Sequence, residues 1–302
     1  MNLLAALASV RIFPRKASHQ TLTTRWGKAL DPQHILEEYP RPQMIRDQYI
    51  NLNGEWNYTV LSEKNTITKE GTLLVPETAR WYYHCDRLGM IVWQDMVNGG
   101  TYNAPFMTWL PALFPKFKLH TSDRIHPLFG RKNVHGREEF IRECKETVTA
   151  LKAFPCISTW VIFNEGWGQF DSKKLTALFR ELDDTRLIDS ASGWFDRQQG
   201  DFKSEHNYFA KQFVTPSDRA FVISEYGGYT CQVKGHTCSG KTYGYKICSS
   251  QEEFQAAYHK LISEEIDPLK EQGLCGAVYT QLSDIEDEIN GLMTYDREVC
   301  KL

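Results

Sequence analysis

The sequence predicts an α/β protein with a parallel sheet, because apolar strand patterns alternate with amphipathic helical patterns from Ala79 onward. Two strand patterns, residues 161–163 and 221–223, are wholly apolar, which is typical of strands buried on both faces. Each is followed within two residues by a glutamate, Glu165 or Glu225. In closed parallel barrels, catalytic groups lie at the carboxyl ends of the strands. The two carboxylates are therefore expected to face one reaction centre.

Six strand patterns occur in this part of the chain, whereas a closed (β/α)8 barrel needs eight strands. They are centred near residues 91, 161, 188, 206, 222 and 278. The shortfall of two strands predicts a barrel that is incomplete.

Apolar residues at helical spacing predict three helices between these strands. The helices cover residues 138–154, 175–182 and 254–266. Asp171 or Ser172 is expected to cap the second helix, because both side chains accept hydrogen bonds from free backbone N–H groups. Ser250 and Glu253 have the spacing of a capping box and mark the start of the third helix.

The first 78 residues follow another pattern. Residues 1–40 show no sustained periodicity and are expected to form a poorly ordered tail. An apolar run at residues 1–10 comes before the basic residues, the reverse of the order in a secretory signal, so we expect a leader with no role in export. Alternating residues at 52–60 and 72–75 predict short strands, too few for a sheet with its own core.

The composition of the chain disfavours some classes of binding partner. The formal net charge of -3 gives no electrostatic reason to expect nucleic acid or an anionic membrane surface. No apolar run approaches the roughly 20 residues that span a bilayer. The 8 cysteines form no CxxC pair and no zinc-type spacing. Only Cys231, Cys238 and Cys248 are grouped closely enough to pair, and free thiols in a cytoplasmic protein are the expectation.

A pair of carboxylates that flank one bond is the chemistry of glycoside hydrolysis. Glu165 lies among aromatic residues of its own stretch, which favours the protonated form that a general acid needs. Tyr208 and Tyr226 are expected to hydrogen-bond a nucleophilic Glu225 and keep its pKa low. Asn164 suits a sugar hydroxyl, since an amide both donates and accepts. The alternative is that both glutamates are paired structural carboxylates.

Several stretches resemble glycoside hydrolase family 2, the β-galactosidase, β-glucuronidase and β-mannosidase group. Residues 164–171 (NEGWGQFD) resemble the acid/base motif of the family, and residues 224–228 (SEYGG) resemble its nucleophile strand. Other stretches resemble its barrel or the opening of its sugar-binding sandwich. They are 80–89 (RWYYHCDRLG), 192–196 (SGWFD), 279–281 (YTQ) through 290–292 (NGL), and 52–56 (LNGEW).

The resemblance implies a retaining mechanism in which Glu165 is the acid/base and Glu225 is the nucleophile. Asn164 would contact the sugar 2-hydroxyl. The other substrate-binding residues that it implies are Asp95, Trp194, His206 and Tyr208. Carboxylate-pair chemistry needs no cofactor, and the sequence shows no set of metal ligands on which we base a prediction. A carbohydrate is the expected partner, and an oligomer is compatible with the sequence.

The resemblance also implies the fold, which is an incomplete TIM barrel of about strands three to eight at residues 79–302. A remnant of a jelly-roll β-sandwich would precede it at residues 41–78. Most of that sandwich, a second sandwich and the first two barrel strands have no counterpart here, and neither does the Asn-x-x-Arg-x-x-His motif of the early barrel. This pattern is typical of an internally deleted family member.

Other functions stay open at this point. One is a sugar-binding relic without turnover, and another is a truncated chain without a working site. A serine hydrolase lacks support, because no G-x-S-x-G motif is present. No Asn-x-Lys triplet of the β-glucuronidase type follows Glu225, which favours a neutral sugar. A β-galactoside is the best single prediction, with β-glucuronidase and β-mannosidase specificity as alternatives.

Overall fold

The structure is a computed structural model that describes residues 22–29, 31, 79–100, 111–113, 122–238 and 242–302, and the backbone of 55–61 and 67–74. Most of the predicted tail lies outside these residues. Its described part contains helix α1, Arg25–Ala29. Within the described residues, no helix combines the length and the apolar character that a membrane crossing requires.

The chain divides into two compact units. One comprises residues 30–92 and 149–158, and the other comprises 1–29, 93–148 and 159–302. The domain boundaries at residues 40 and 78 that the sequence suggests remain predictions.

The first unit contains an antiparallel hairpin and a helix. Strands β1 (Glu55–Leu61) and β2 (Ile67–Leu74) pair from Glu55 with Leu74 to Leu61 with Ile67. Helix α2 spans Ala79–Leu88. On its buried side, the Tyr82 ring lies 5.2 Å from the Phe154 ring, and the Asp86 carboxylate accepts a 2.6 Å hydrogen bond from the backbone N–H of Cys156.

Six further strands form two parallel three-stranded sheets. The first has the order β3-β4-β5 and the second the order β10-β7-β6. Their bounds are β3 Val92–Asp95, β4 Ile157–Val161, β5 Leu187–Asp189, β6 Phe202–Asn207, β7 Ala220–Gly227 and β10 Leu274–Thr280. All six predicted strands are confirmed. The two ladders do not join into a closed ring among the described strands, so the fold is an incomplete barrel.

Helices lie in the connections from β3 to β4, from β4 to β5 and from β7 to β10, as is usual between parallel strands. They are α3 Val134–Leu151, α4 Ser172–Leu182, α5 Gln251–Lys260 and α6 Asp267–Lys270, with a 3-10 turn at His126–Phe129 and a π-helical turn at Leu261–Ile266. The outer face of β7 contributes Phe221 and Ile223 to a core with Leu261 and Leu269. The apolar strand pattern thus supplies the contact that holds the last helices on the sheet.

The caps differ in part from the prediction. Ser250 accepts a hydrogen bond from the backbone N–H of Glu253, as expected, but the Glu253 carboxylate bonds Ser249 instead of Ser250. Neither Asp171 nor Ser172 caps α4 through its side chain. The Asp123 carboxylate instead accepts a 2.9 Å hydrogen bond from the Ser172 N–H, so the start of α4 is capped by a residue 49 positions earlier in the chain.

A short parallel pair that the sequence analysis did not predict lies near the end of the chain. Strand β8 (Tyr229–Cys231) pairs with β9 (Lys246–Cys248), and both cysteines are buried. The last residues pack within their own unit through Lys301, whose buried ammonium lies 2.7 Å from Asp284. All 8 cysteines are free, as predicted.

Candidate active site

Glu165 occupies a tight turn just beyond the carboxyl end of β4. Its backbone has a φ of 53°, a left-handed conformation that a residue with a side chain rarely adopts. Two hydrogen bonds hold the turn, from the Glu165 N–H to Ser192 at 3.0 Å and from the Trp167 N–H to Asn164 at 2.9 Å. Such strain persists only where surrounding structure fixes it, and it is concentrated at functional sites.

Glu225 lies near the end of β7, at an irregularity in the strand. The register with β6 pairs Ile223 with Glu205 but Glu225 with His206, so Ser224 is an extra residue on β7. A bulge of this kind re-aims side chains. It turns both Ser224 and Glu225 toward the barrel interior, where Ser224 meets Ser192 at 3.2 Å.

His206 of β6 lies between the two glutamates. Its Nδ1 atom is 3.0 Å from Oε1 of Glu165 and 3.6 Å from Oε2 of Glu225. The imidazole is fully buried. Burial lowers the pKa of His206, but the charges of Glu225, Glu165 and Asp189 outweigh it and raise the pKa to about 9. The facing carboxylates therefore favour the protonated ring at neutral pH.

Tyr208 holds Glu225 from the other side. The Tyr208 hydroxyl donates a hydrogen bond to Oε2 of Glu225 and lies 3.2 Å from Oγ1 of Thr280. Its ring stacks on Tyr245 with 3.9 Å between the centroids. Burial and the Glu225 charge raise the pKa of Tyr208, so the phenol stays a donor.

The expected low pKa of Glu225 is wrong. Burial of the carboxyl is the largest effect and, with repulsion from Glu165, it raises the pKa, although His206 and the Tyr208 hydrogen bond oppose the rise. Tyr226 does not contribute as predicted. Its side chain packs into the apolar core outside the sheet, 5.6 Å from the Tyr279 ring, because β7 turns successive side chains to opposite faces beyond the bulge.

The other predicted residues take different positions. Asp95 ends β3; it is open to solvent on one side, but surrounding protein atoms desolvate the rest of its carboxyl. This desolvation and the Glu225 charge raise the pKa of Asp95 to about 7. The side-chain oxygen of Asn164 is buried and has no hydrogen-bond partner within the described chain. Trp194 is buried behind His206, with 6.0 Å between the ring centroids.

Comparison with known families identifies the family of this chain. The family model "Glycosyl hydrolases family 2, TIM barrel domain" matches residues 56–301. The chain belongs to glycoside hydrolase family 2. The expectation from the motifs is thereby confirmed. No curated protein matches the chain.

One solved structure with a similar chain is a β-glucuronidase from Parabacteroides merdae. It shares 14% sequence identity with this family 2 chain, at a TM-score of 0.38. The alignment covers 73% of this chain but 31% of the glucuronidase chain, so the family 2 chain spans about a third of that structure.

Sequence reasoning missed several residues that contact the predicted site. Ser192 bonds His206, and Asn98 accepts from the backbone N–H of Asn164 at 3.2 Å. Tyr245 and Thr280 contact Tyr208. Ser192 follows a predicted strand and Thr280 ends one, so the sequence could have predicted that both lie near the site. Tyr245 lies in a loop before β9, and no local pattern indicates that its ring returns to the site.

Glu165, His206 and Glu225 each present an atom of ligand type within 4.8 Å of the others. That spacing would admit a small cation. A metal would need a free lone pair on the imidazole, whereas Nδ1 lies at hydrogen-bond distance from Glu165 and the other ring nitrogen lies at hydrogen-bond distance from Ser192. We therefore assign no metal ligands to this cluster.

Proposed function

We propose that this family 2 chain is a retaining glycosidase that hydrolyses terminal β-glycosides. The observation that carries the proposal is the closeness of the two carboxylates, since an oxygen of Glu165 and an oxygen of Glu225 lie within 4.8 Å. Retaining enzymes place their carboxyl groups about 5–5.5 Å apart, and inverting enzymes about 6.5–9.5 Å apart. This closeness favours retention over inversion, which needs room for a water at the second carboxylate.

In the proposed mechanism, Glu225 attacks the anomeric carbon while Glu165 protonates the leaving oxygen. The sugar is then joined to Glu225 by an ester bond. Glu165, now a carboxylate, takes a proton from water, and the resulting hydroxide displaces Glu225. The Tyr208 hydrogen bond supports the charged nucleophile, and the His206 ring lies 3.6 Å from Oε2 of Glu225.

The proposed sugar pocket is formed by the residues around this pair. Asn164 would contact the 2-hydroxyl, a role that its unpartnered buried oxygen supports. Asp95, His206 and Tyr208 would line the same pocket, and Trp194 would support it from behind His206. A neutral sugar, best a β-galactoside, is the proposed substrate. β-Glucuronides and β-mannosides are the alternatives.

The test is hydrolysis of aryl β-galactoside, β-glucoside, β-mannoside and β-glucuronide by the full chain. We expect Glu225→Ala to lower kcat by about 10⁴-fold or more, since it removes the nucleophile. Glu165→Gln should lower it by about 10²–10⁴-fold, and less for leaving groups that need no proton. Glu264→Ala is the control, because this carboxylate is exposed on the π-helical turn.

A sugar-binding protein without turnover is the second candidate, favoured by the two sheets that do not close. It predicts no hydrolysis by the wild type together with saturable sugar binding. Glu225→Ala would then retain that binding. Turnover by the wild type that Glu225→Ala abolishes would rule out this candidate.

A reducing, cytoplasmic location is part of the proposal. It is supported by 8 free cysteines, of which five are buried away from any oxidant. A carbohydrate is the proposed partner. Labelling of thiols under native and unfolding conditions tests the redox state, and a disulfide in the isolated protein would contradict it.

A further inference from the structure

A buried chain of hydrogen bonds runs from Asp189, at the end of β5, to Glu165. Oδ2 of Asp189 lies 2.7 Å from Oγ of Ser204, which lies 2.7 Å from Oγ of Ser224. Ser224 lies 3.2 Å from Oγ of Ser192. The chain continues from Ser192 to Nε2 of His206 at 2.9 Å, and from Nδ1 to Glu165 at 3.0 Å.

Every member of this chain between its two carboxylates is buried. With no water to compete, hydrogen bonds of such a network strengthen one another. One orientation satisfies all of the donors when His206 carries both ring protons. Nδ1–H then donates to Glu165, Nε2–H donates to Ser192, and each serine donates onward until the Asp189 carboxylate accepts the last hydrogen bond.

We propose that, before a sugar binds, His206 holds the proton that Glu165 later delivers to the leaving oxygen. In this scheme, the serine chain to Asp189 keeps the imidazole doubly protonated. This rests on the proposed glycosidase function. The step is a single transfer along an existing hydrogen bond. The proton leaves Nδ1 of His206 and bonds to Oε1 of Glu165, which gives a neutral imidazole and a neutral carboxylic acid.

The charges around the imidazole favour this arrangement. Glu165 and Glu225 face Nδ1 from β4 and β7, and Asp189 faces Nε2 from β5 through the serines. Asp95 adds a further carboxyl from β3. The Tyr208 phenol, which also lies beside His206, is a neutral hydrogen-bond donor and adds no charge. A neutral sugar that excludes water and covers Glu165 penalises its charge, which favours transfer of the proton to it.

Two sites that share one proton bind it more tightly than either site alone. Removing His206 therefore lowers the pH at which the acid form is lost, even though Glu165 remains. His206 is a positioning and proton-holding residue in this scheme, while Glu165 is the catalytic acid. A merely structural role for His206 would change the amount of folded protein but not this pH.

The test combines NMR with kinetics on the full chain. Among the 9 histidines, His206→Asn identifies the His206 ring signal by its loss. We expect that ring to be doubly protonated at about pH 7 in the wild type. Glu165→Gln and Asp189→Asn should each lower its pKa by removing a facing charge. Ser192→Ala should do so by removing the acceptor, with the backbone hydrogen bonds of residue 192 intact.

In the pH profile of kcat/KM, His206→Asn should move the basic limb down by about one pH unit or more, and Ser192→Ala should move it in the same direction. If His206→Asn does not fold, Ser192→Ala and Asp189→Asn carry the test. Two outcomes in an active enzyme would overturn the proton-holding role alone. One is a His206 ring that is neutral at about pH 7. The other is a kcat/KM profile whose basic limb stays at the same pH in all three variants. A folded wild type without turnover would overturn the proposed function, and with it the delivery step.

Discussion

The phenol of Tyr208 donates a hydrogen bond to Oε2 of Glu225, which joins β6 to β7 at their carboxyl ends. This bond opposes the burial and the Glu165 charge that raise the pKa of Glu225. The charged form of Glu225, the proposed nucleophile, is therefore favoured by a residue 17 positions earlier in the chain.

Tyr208→Phe should lower kcat/KM by about tenfold or more, since hydrogen bonds to charged groups contribute about 1.5–3 kcal/mol. Without the donor, the pKa of Glu225 rises further. The acid limb of the pH profile should therefore move to higher pH, because the carboxylate is lost at a higher pH than in the wild type. Tyr258→Phe is the control, since that ring packs on Tyr279 outside the site. An unchanged acid limb would contradict the prediction.

Gly193→Ala should damage the site more than it damages the fold. Gly193 has a φ of +86°, and an added Cβ would lie 2.6 Å from Cγ of His206. Gly235 has the same φ but open space around it, so Gly235→Ala is a matched control. Both changes should cost about 1–2 kcal/mol of backbone strain. Only Gly193→Ala should displace the imidazole and lower kcat/KM, and equal activity of the two variants would count against the contact.

Lys301→Met should destabilise the chain by about 3–5 kcal/mol, because it leaves the buried Asp284 carboxylate without its partner. Both side chains are almost fully inaccessible, at 0% and 1% exposure. Lys270→Met is the control; that lysine pairs with Asp267 at 2.7 Å on the surface, and its loss should cost about 1 kcal/mol or less. Urea unfolding of both variants measures the difference. Similar midpoints for the two would show that the buried pair adds little.

Val278→Lys should reduce self-association at high protein concentration. Strand β10 pairs with β7 on one side, and no described strand pairs with its other side. Val278 is 46% exposed there, and a lysine on an unpaired edge opposes edge-to-edge pairing. Leu88→Lys removes an exposed apolar side chain at the end of α2 and serves as the control. Light scattering should show the larger decrease for Val278→Lys.

The sequence determined the six barrel strands, the helices between them and the placement of Glu165 and Glu225 at strand ends. These features depend on local hydrophobic periodicity, which can be read from a short window of sequence. The incomplete barrel was also predicted, since a count of strand patterns needs no three-dimensional information. The family followed from two short motifs, residues 164–171 and 224–228.

Only the tertiary structure decided the distances between the site residues and their effects on one another's pKa. It placed His206 between the glutamates and turned Tyr226 away from the site. It also raised the pKa of Glu225 where the sequence had suggested a low value. The serine chain from Asp189 joins residues of three different strands, β5, β6 and β7. Desolvation and Coulomb energies depend on distances between residues far apart in the chain, and strand pairing and a bulge set those distances.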